Sequence, residues 1–220
     1  MKVFVACESS GVVRRAFEAR GHEAWSCDLV EAEDGAARHI QADAIETAGA
    51  GGWDLMVAHP PCTYLASSGL HWTARGHRDP RLTDEAIAFV LALMAAPIPR
   101  IAIENPVGCI GTRIRPADQY VQPWQYGDDA SKTTGLWLEG LPLLVPTGPR
   151  ITPRLVDGRP RWANQTDSGQ NCLAPSEDRW RQRSTTYPGI AAAMADQWGD
   201  PSSSLFGAAL AAAETLEARP

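Results

Sequence analysis

Apolar positions along this chain gather in short continuous runs separated by helix-length amphipathic stretches. Val3 to Ala6, Ala24 to Cys27, Leu55 to Ala58 and Ile101 to Ile103 are largely apolar, and each is closed by a polar or proline-rich turn. Runs of this length with no helical continuation predict buried strands. Val12 to Arg20, closed by Gly21, predicts a helix. Residues 83 to 96 predict the clearest helix. Ala88, Val90, Leu91, Leu93 and Met94 supply its body, Thr83 a cap, Asp84 and Glu85 its first turn, and Pro97 and Pro99 its end. Shorter strands are expected at His39–Gln41, Tyr120–Trp124 and Gly135–Leu138. Helices are expected over Ile190–Trp198 and, in an Ala-rich stretch, Leu205–Glu217. The rest of 29–52 is polar and Gly/Ala-rich, and 65–81 reads as a loop that either closes over a site or is ordinary surface. Strands alternating with helices predict an α/β fold with helices on both faces of one sheet. The expected division is a core at 1–140, an irregular arginine-rich segment at 141–183, and C-terminal helices at 184–220 that complete the core.

The stretch from Trp53 to Gly69 organises the chain. Its strand stops at His59-Pro60-Pro61 and delivers Cys62. Two prolines in series can neither continue a ladder nor enter a helix interior, and they stiffen what precedes them. A thiol on a stiffened loop just past a strand's carboxyl end sits where open α/β sheets bind ligands. The competing reading is a buried structural cysteine. Flanking His59, Thr63, Tyr64 and Ser67 favour the functional one.

Three other strand ends carry chemistry. The first strand runs into Cys7-Glu8-Ser9-Ser10-Gly11, a small-residue turn before a helix. The second ends at Asp28, and Asp43 follows the third. A turn that admits close backbone approach, with an acid at the next strand's tip, suits the ribose of a nucleoside-containing cofactor. Only Gly11 stands where a diphosphate fingerprint has three glycines, so a cofactor without phosphates is favoured. Both acids also read as solvated loop carboxylates. The strand at 101–103 ends in Glu104-Asn105-Pro106. That pair either caps the next segment or lies beside Cys62, if the two strands are neighbours.

Charge and composition narrow this further. The 220-residue chain has a formal charge of −6, so nucleic-acid binding requires a local basic patch. Residues 141–183 supply one. Their seven arginines, Arg150, Arg154, Arg159, Arg161, Arg179, Arg181 and Arg183, outnumber four acids, with Trp162 and Trp180 interleaved. Arginines with aromatics suit a phosphate-bearing polymer, and a solvated loop subdomain is the alternative. The five cysteines are odd in number and show no Cys-x-x-Cys spacing, which argues against a zinc site and a disulfide framework. No metal is expected. No apolar run spans a bilayer, and the N-terminus reads as a first strand rather than a signal peptide, so the expected location is the cytoplasm.

Taken in order, these segments resemble the cytosine-5 DNA methyltransferases, in a compact form like those carried by phages. The resemblance covers most of residues 3–199. Cys7 to Val12 matches the family's first motif, which binds S-adenosyl-L-methionine. Asp28 matches the ribose acid and Asp43 the acid at the adenine amino group. Pro61-Cys62 matches the nucleophile loop, with Thr63 for the usual Gln. Glu104-Asn105 matches the next motif, with Pro106 for the usual Val. Tyr126 to Leu138 resembles a later motif, but Ala130, Lys132 and Thr134 replace its Gln and two Arg. Residues 141–183 stand at the target-recognition region, and Thr185–Ala193 at the last motif, without its Gly-Asn pair.

The resemblance implies a Rossmann-like methyltransferase sheet and methyl transfer to carbon 5 of cytosine in DNA, the base being flipped out if the DNA is duplex. It implies Cys62 as covalent nucleophile and Glu104 as the group at ring nitrogen 3, with a pKa raised by burial. Asn105 would hold Glu104 or the loop, and Lys132 would replace the missing arginine. Cys7, Glu8, Ser9, Gly11, Asp28, Asp43 and Pro60 would form the cofactor site. Arg150, Arg154, Arg159, Arg161 and Arg181 would contact DNA. Two rivals remain: the same chemistry on a free cytidine nucleotide or RNA, and a nucleic-acid-binding relative without catalysis. A cysteine hydrolase lacks a triad, His59 sitting on the stiff side of the loop.

Overall fold

The computed structural model describes residues 1–176 and 179–200. Seven strands form one sheet: β1 (Lys2–Ala6), β2 (Glu23–Asp28), β3 (His39–Gln41), β4 (Leu55–Ala58), β5 (Ile101–Pro106), β6 (Gln119–Val121) and β7 (Thr134–Glu139). Their order is β3-β2-β1-β4-β5-β7-β6. The first five are parallel, and β7 runs antiparallel to both β5 and β6. The fold is Rossmann-like: the doubly wound order with one antiparallel strand inserted near the edge.

Why β1 and β4 lie at the centre follows from their side chains. Val3 to Ala6 and Leu55 to Ala58 are wholly buried, and only an all-apolar strand can be covered on both faces. On one face, helices α1 (Val12–Glu18) and α7 (Pro188–Trp198) contribute Phe17, Met194 and Trp198 to a core with Val3, Val5 and Val57. On the other, α2 (Ala44–Gly49) and α4 (Arg81–Met94) contribute Ala48, Ile87, Val90 and Leu93 to a core with Phe4, Met56 and Ile103. Helices therefore cover both faces, as expected.

Several local expectations are corrected. Helix α2 arises within the supposedly irregular 29–52 segment, because Asp43 caps it by accepting from the Ile45 and Glu46 N–H groups at 2.8 and 3.0 Å. The expected loop at 65–81 contains α3 (Ser67–Ala74), which buries no residue and so leaves no apolar period to read. Helix α4 starts two residues early. Asp79 receives the Arg81 N–H at 2.9 Å, and Thr83 is buried inside the first turn rather than capping it. Strand β6 covers only 119–121, since Pro123 turns the chain into a short 3-10 helix at Pro123–Gln125. Strand β5 instead runs through Glu104, Asn105 and Pro106, paired with β7 along all six positions.

A helical turn, α5 (Ile110–Arg113), follows β5. The arginine-rich segment holds a hairpin, β8 (Arg154–Val156) and β9 (Arg159–Arg161), turned by Asp157 and Gly158, both at positive φ, and then α6 (Arg179–Ser184). The helix expected at 205–217 lies outside the described residues. Among the described residues no helix is long and apolar enough to cross a membrane, and no cluster of three His, Cys, Asp or Glu side chains is placed to hold a metal.

Candidate active site

Strand order reverses between β1 and β4, and a cavity of about 980 Å³ opens there, at the carboxyl ends of β1, β2, β4 and β5. Cys62 and Glu104 both line it, from adjacent parallel strands.

The Cys62 loop is held from three sides. The His59 N–H donates to Ala6 O at 2.9 Å, so β4 stays tied to β1 up to the prolines. Cys62 opens a 3-10 turn, Cys62–Tyr64, and its carbonyl accepts from the Leu65 and Ala66 N–H groups. Buried Asn105 donates from Nδ2 to Pro60 O at 2.7 Å and so braces the loop that carries Cys62. Arg78 donates to Thr63 O at 2.9 Å and lies over the Tyr64 ring. The third brace is backbone against backbone: Ala66 bridges Gly108, and the Cys109 N–H donates to Leu65 O at 2.8 Å. A Cβ at Gly108 would stand 1.9 Å from Leu65 O. Gly108→Ala must therefore push back the segment behind Cys62. The expected result is a urea midpoint lower by the equivalent of about 1–3 kcal/mol. An unchanged midpoint would mean the loop relieves this contact freely.

Glu104 is buried, and its Oε2 lies 2.7 Å from His59 Nδ1. The sequence-based expectation of a raised carboxyl pKa is corrected here. Burial alone pushes it up, but the His59 hydrogen bond, the Lys132 charge, the charge of His59 and the Thr134 hydroxyl together outweigh burial and hold it below the ordinary value. Lys132 lines the cavity, with Nζ anchored on Arg183 O at 3.0 Å.

Across the sheet, Cys7, Glu8, Ser9 and Asp28 form the wall beyond β1 and β2, and Pro60 joins them from the β4 side. Cys7 has φ 59°, rare for a residue with a Cβ, and turns the chain sharply out of β1. Burial first, then Asp28, Cys27 and Asp43, push its thiol pKa up, which favours the protonated thiol. Glu8 is spent on the start of α1, accepting from the Val13 and Arg14 N–H groups at 2.7 and 3.2 Å. Its own pKa is raised, burial outweighing His59 and those bonds. Ser9 donates to Glu33 at 2.8 Å and accepts the Glu33 N–H, which folds the 29–35 loop against the turn and brings Glu33 into the wall. Gly11 takes φ 67° at the head of α1, and Asp43 caps α2; neither belongs to the cavity wall.

None of the five arginines expected to meet DNA lines the cavity. Arg154 pairs with Asp167, and Arg161 donates to Asp167 O, so both hold the hairpin together. Arg150 stacks on Trp124, itself stacked on Trp162, which ties the segment to the core. Arg159 is exposed on β9, and Arg181 lies 3.5 Å from Glu33. Arg78, Arg183 and half-exposed Trp72 line the cavity instead, together with Asn164 to Leu173 positions from the hairpin's flank. The sequence marked His59 only as a loop residue favouring a functional site and Arg183 only as one of the segment's arginines, and both line the wall. Trp72 and Arg78 were signalled only by their place in a segment able to close over a site.

No family model matches this chain, and no curated protein matches it. Among solved structures it is similar to the crystal structure of a candidate DNA modification methyltransferase encoded within a prophage of E. coli, at 16% identity and a TM-score of 0.45. That match covers 63% of this chain and 46% of the other, so the chain spans less than half of that protein's length. At this identity and score the likeness carries no argument about chemistry.

Proposed function

We propose that this chain transfers a methyl group from S-adenosyl-L-methionine to carbon 5 of cytosine in DNA through a covalent Cys62 adduct. The observation that carries this reading is the pairing of Cys62 and Glu104 on one cavity, presented by adjacent parallel strands. The other end supports the cofactor. Glu8, Asp28 and Glu33 lie there with Ser9 and Ser10, whereas Arg78 and Lys132 come from the Cys62 and β7 side and Arg183 from the end of α6. An acidic, hydroxyl-rich wall suits a cationic sulfonium and ribose hydroxyls better than a diphosphate, which wants helix N–H groups and cations. Here the first N–H groups of α1 are already taken by Glu8.

Carbon 5 of cytosine is a weak nucleophile. The Cys62 thiolate adds to carbon 6, the ring electrons move toward carbon 5, and Glu104 delivers a proton to ring nitrogen 3. The second Glu104 oxygen accepts from the exocyclic amine, and Lys132 takes the ring carbonyl. Bound S-adenosyl-L-methionine supplies an electrophilic methyl group. Water takes the carbon-5 proton, and those electrons re-form the carbon 5–carbon 6 double bond and break the carbon–sulfur bond, releasing Cys62 as the thiolate while ring nitrogen 3 returns its proton to Glu104. Asn105, through Pro60, keeps Sγ in place during both steps.

A free cytidine nucleotide is the second reading. It is favoured by the arginine-rich segment, whose expected DNA contacts lie off the cavity while its flank closes directly upon it. Nucleoside mass spectrometry on DNA from cells expressing the chain, with parallel methyl-transfer assays on duplex DNA and dCMP, tests both. 5-Methylcytosine in DNA is the expected product. Methylated dCMP with unmodified DNA would select the second reading, and no methylated cytosine in either would overturn the first two together.

A further inference from the structure

His59 occupies a position that the methyl-transfer chemistry has left unused. Its side chain is 9% exposed and lines the cavity. Nδ1 lies 2.7 Å from Glu104 Oε2 and 3.4 Å from Thr186 Oγ1. Nε2 is buried without a hydrogen-bond partner among the described residues. The charged groups facing this imidazole are Glu104 from β5 and Glu8 from the turn after β1, with Lys132 reaching Glu104 from the segment before β7. Thr186, ahead of α7, is uncharged, and Cys62 lies on His59's own loop. Glu104 lies at hydrogen-bond distance from the ring and can carry the counter-charge when the imidazole is doubly protonated.

Glu104 has to hand a proton to ring nitrogen 3 and later take it back. With Lys132 and His59 beside it, its resting form is the carboxylate, which has no proton to give. We propose that His59 is the positioning residue that loads Glu104: the proton on Nδ1 moves to Glu104 Oε2 as the base enters, and the loaded carboxyl protonates ring nitrogen 3. This rests on the methyl-transfer reading above. The balance closes. The Nδ1–H bond breaks and an O–H bond forms, leaving neutral imidazole. The carboxyl proton then passes to ring nitrogen 3 while Cys62 Sγ bonds carbon 6. When the adduct collapses, ring nitrogen 3 returns its proton through Glu104 to Nδ1. No external acid is consumed.

His59→Asn tests the relay, because the amide keeps an N–H for Glu104 and cannot titrate. The wild-type turnover number should fall as rising pH removes the relay proton. In H59N it should be on the order of 10²-fold lower and without that fall. The KM for the cytosine substrate, the Kd for S-adenosyl-L-methionine and the Tm should stay near wild type. A merely structural role would lower the rate without flattening the profile. A wild-type pH profile in H59N, or a turnover within about threefold of wild type, would overturn the relay. A second arm needs no activity: in 15N NMR the pH at which the His59 ring nitrogens change shift should move down in Glu104→Gln. An unmoved response would also overturn it. Should the wild type methylate no cytosine, the methyl-transfer reading fails, and the NMR arm still decides whether His59 and Glu104 share a proton.

Discussion

Cys62→Ala is expected to abolish methyl transfer and to leave the Kd for S-adenosyl-L-methionine within about twofold of wild type. The proposed route needs a covalent bond to carbon 6 before carbon 5 can react, and Cys62 is the cavity thiol on the strand next to that of Glu104. Cys7 shares the cavity, but burial holds its thiol protonated. Cys172 also lines the cavity, from the hairpin's flank, and its thiol donates to Ala163 O at 3.5 Å. Removing one member of a unit that acts together costs nearly as much as removing all of it, here a loss of ~10⁴-fold or more. Cofactor binding should survive, because the acidic wall lies beyond β1 and β2 whereas Cys62 follows β4. Radiolabelled methyl transfer and isothermal titration calorimetry measure the two halves. Retained turnover would remove Cys62 as nucleophile, and lost cofactor affinity would mean the two ends of the cavity are not separate.

Glu104→Gln is expected to lower turnover by about 10²–10⁴-fold, the usual share of a positioned acid. The variant should fold at neutral pH, since the Gln carbonyl can still accept the His59 Nδ1–H and no buried charge is left alone. The same variant carries a pH signature. The folded-state value of Glu104 is depressed. Its stabilising contribution is therefore complete above the ordinary carboxyl value and is lost as pH falls through the folded one. The wild type should lose urea resistance on acidification more steeply than Glu104→Gln. Glu8, whose value is raised, acts in the opposite direction, but it is present in both proteins and cancels in the comparison. Parallel acid limbs would show that Glu104 is not held ionised, and an unaffected rate would take it out of the mechanism.

Much of the fold is legible in the chain because its central strands are continuous apolar runs. Val3–Ala6, Leu55–Ala58 and Ile101–Ile103 are buried on both faces, and each lies in a strand of the observed sheet. Elements stabilised by something other than an apolar stripe were invisible. Helix α2 starts at a capping carboxylate and buries only Ala44 and Ala48, α3 buries nothing, and the β8–β9 hairpin is a two-residue turn between exposed strands. Its Asp157-Gly158 pair was the available signal. Thr83 misled as a cap because capping depends on where the first turn begins, and Asp79-Pro80 begins it earlier.

The chain by itself determined which reactive groups stand at strand ends: Cys62 past a double proline, Glu104-Asn105 past an apolar run, Asp28 at the tip of another. Those placements are local, set by where apolar runs stop and by the stiffness of proline. Tertiary structure alone decided which strand ends are neighbours, and hence that Cys62 and Glu104 share a cavity. It also decided that Asp43 and Glu8 serve helix starts, and that Arg154 and Arg161 are spent on Asp167. The protonation of Glu104 was beyond sequence for the same reason. Burial could be foreseen and argued for a raised value, but His59 and Lys132, 45 and 28 positions away along the chain, reverse it once folding brings them together. A carboxyl's charge state is set by its neighbours in space, and those are what the sheet order supplies.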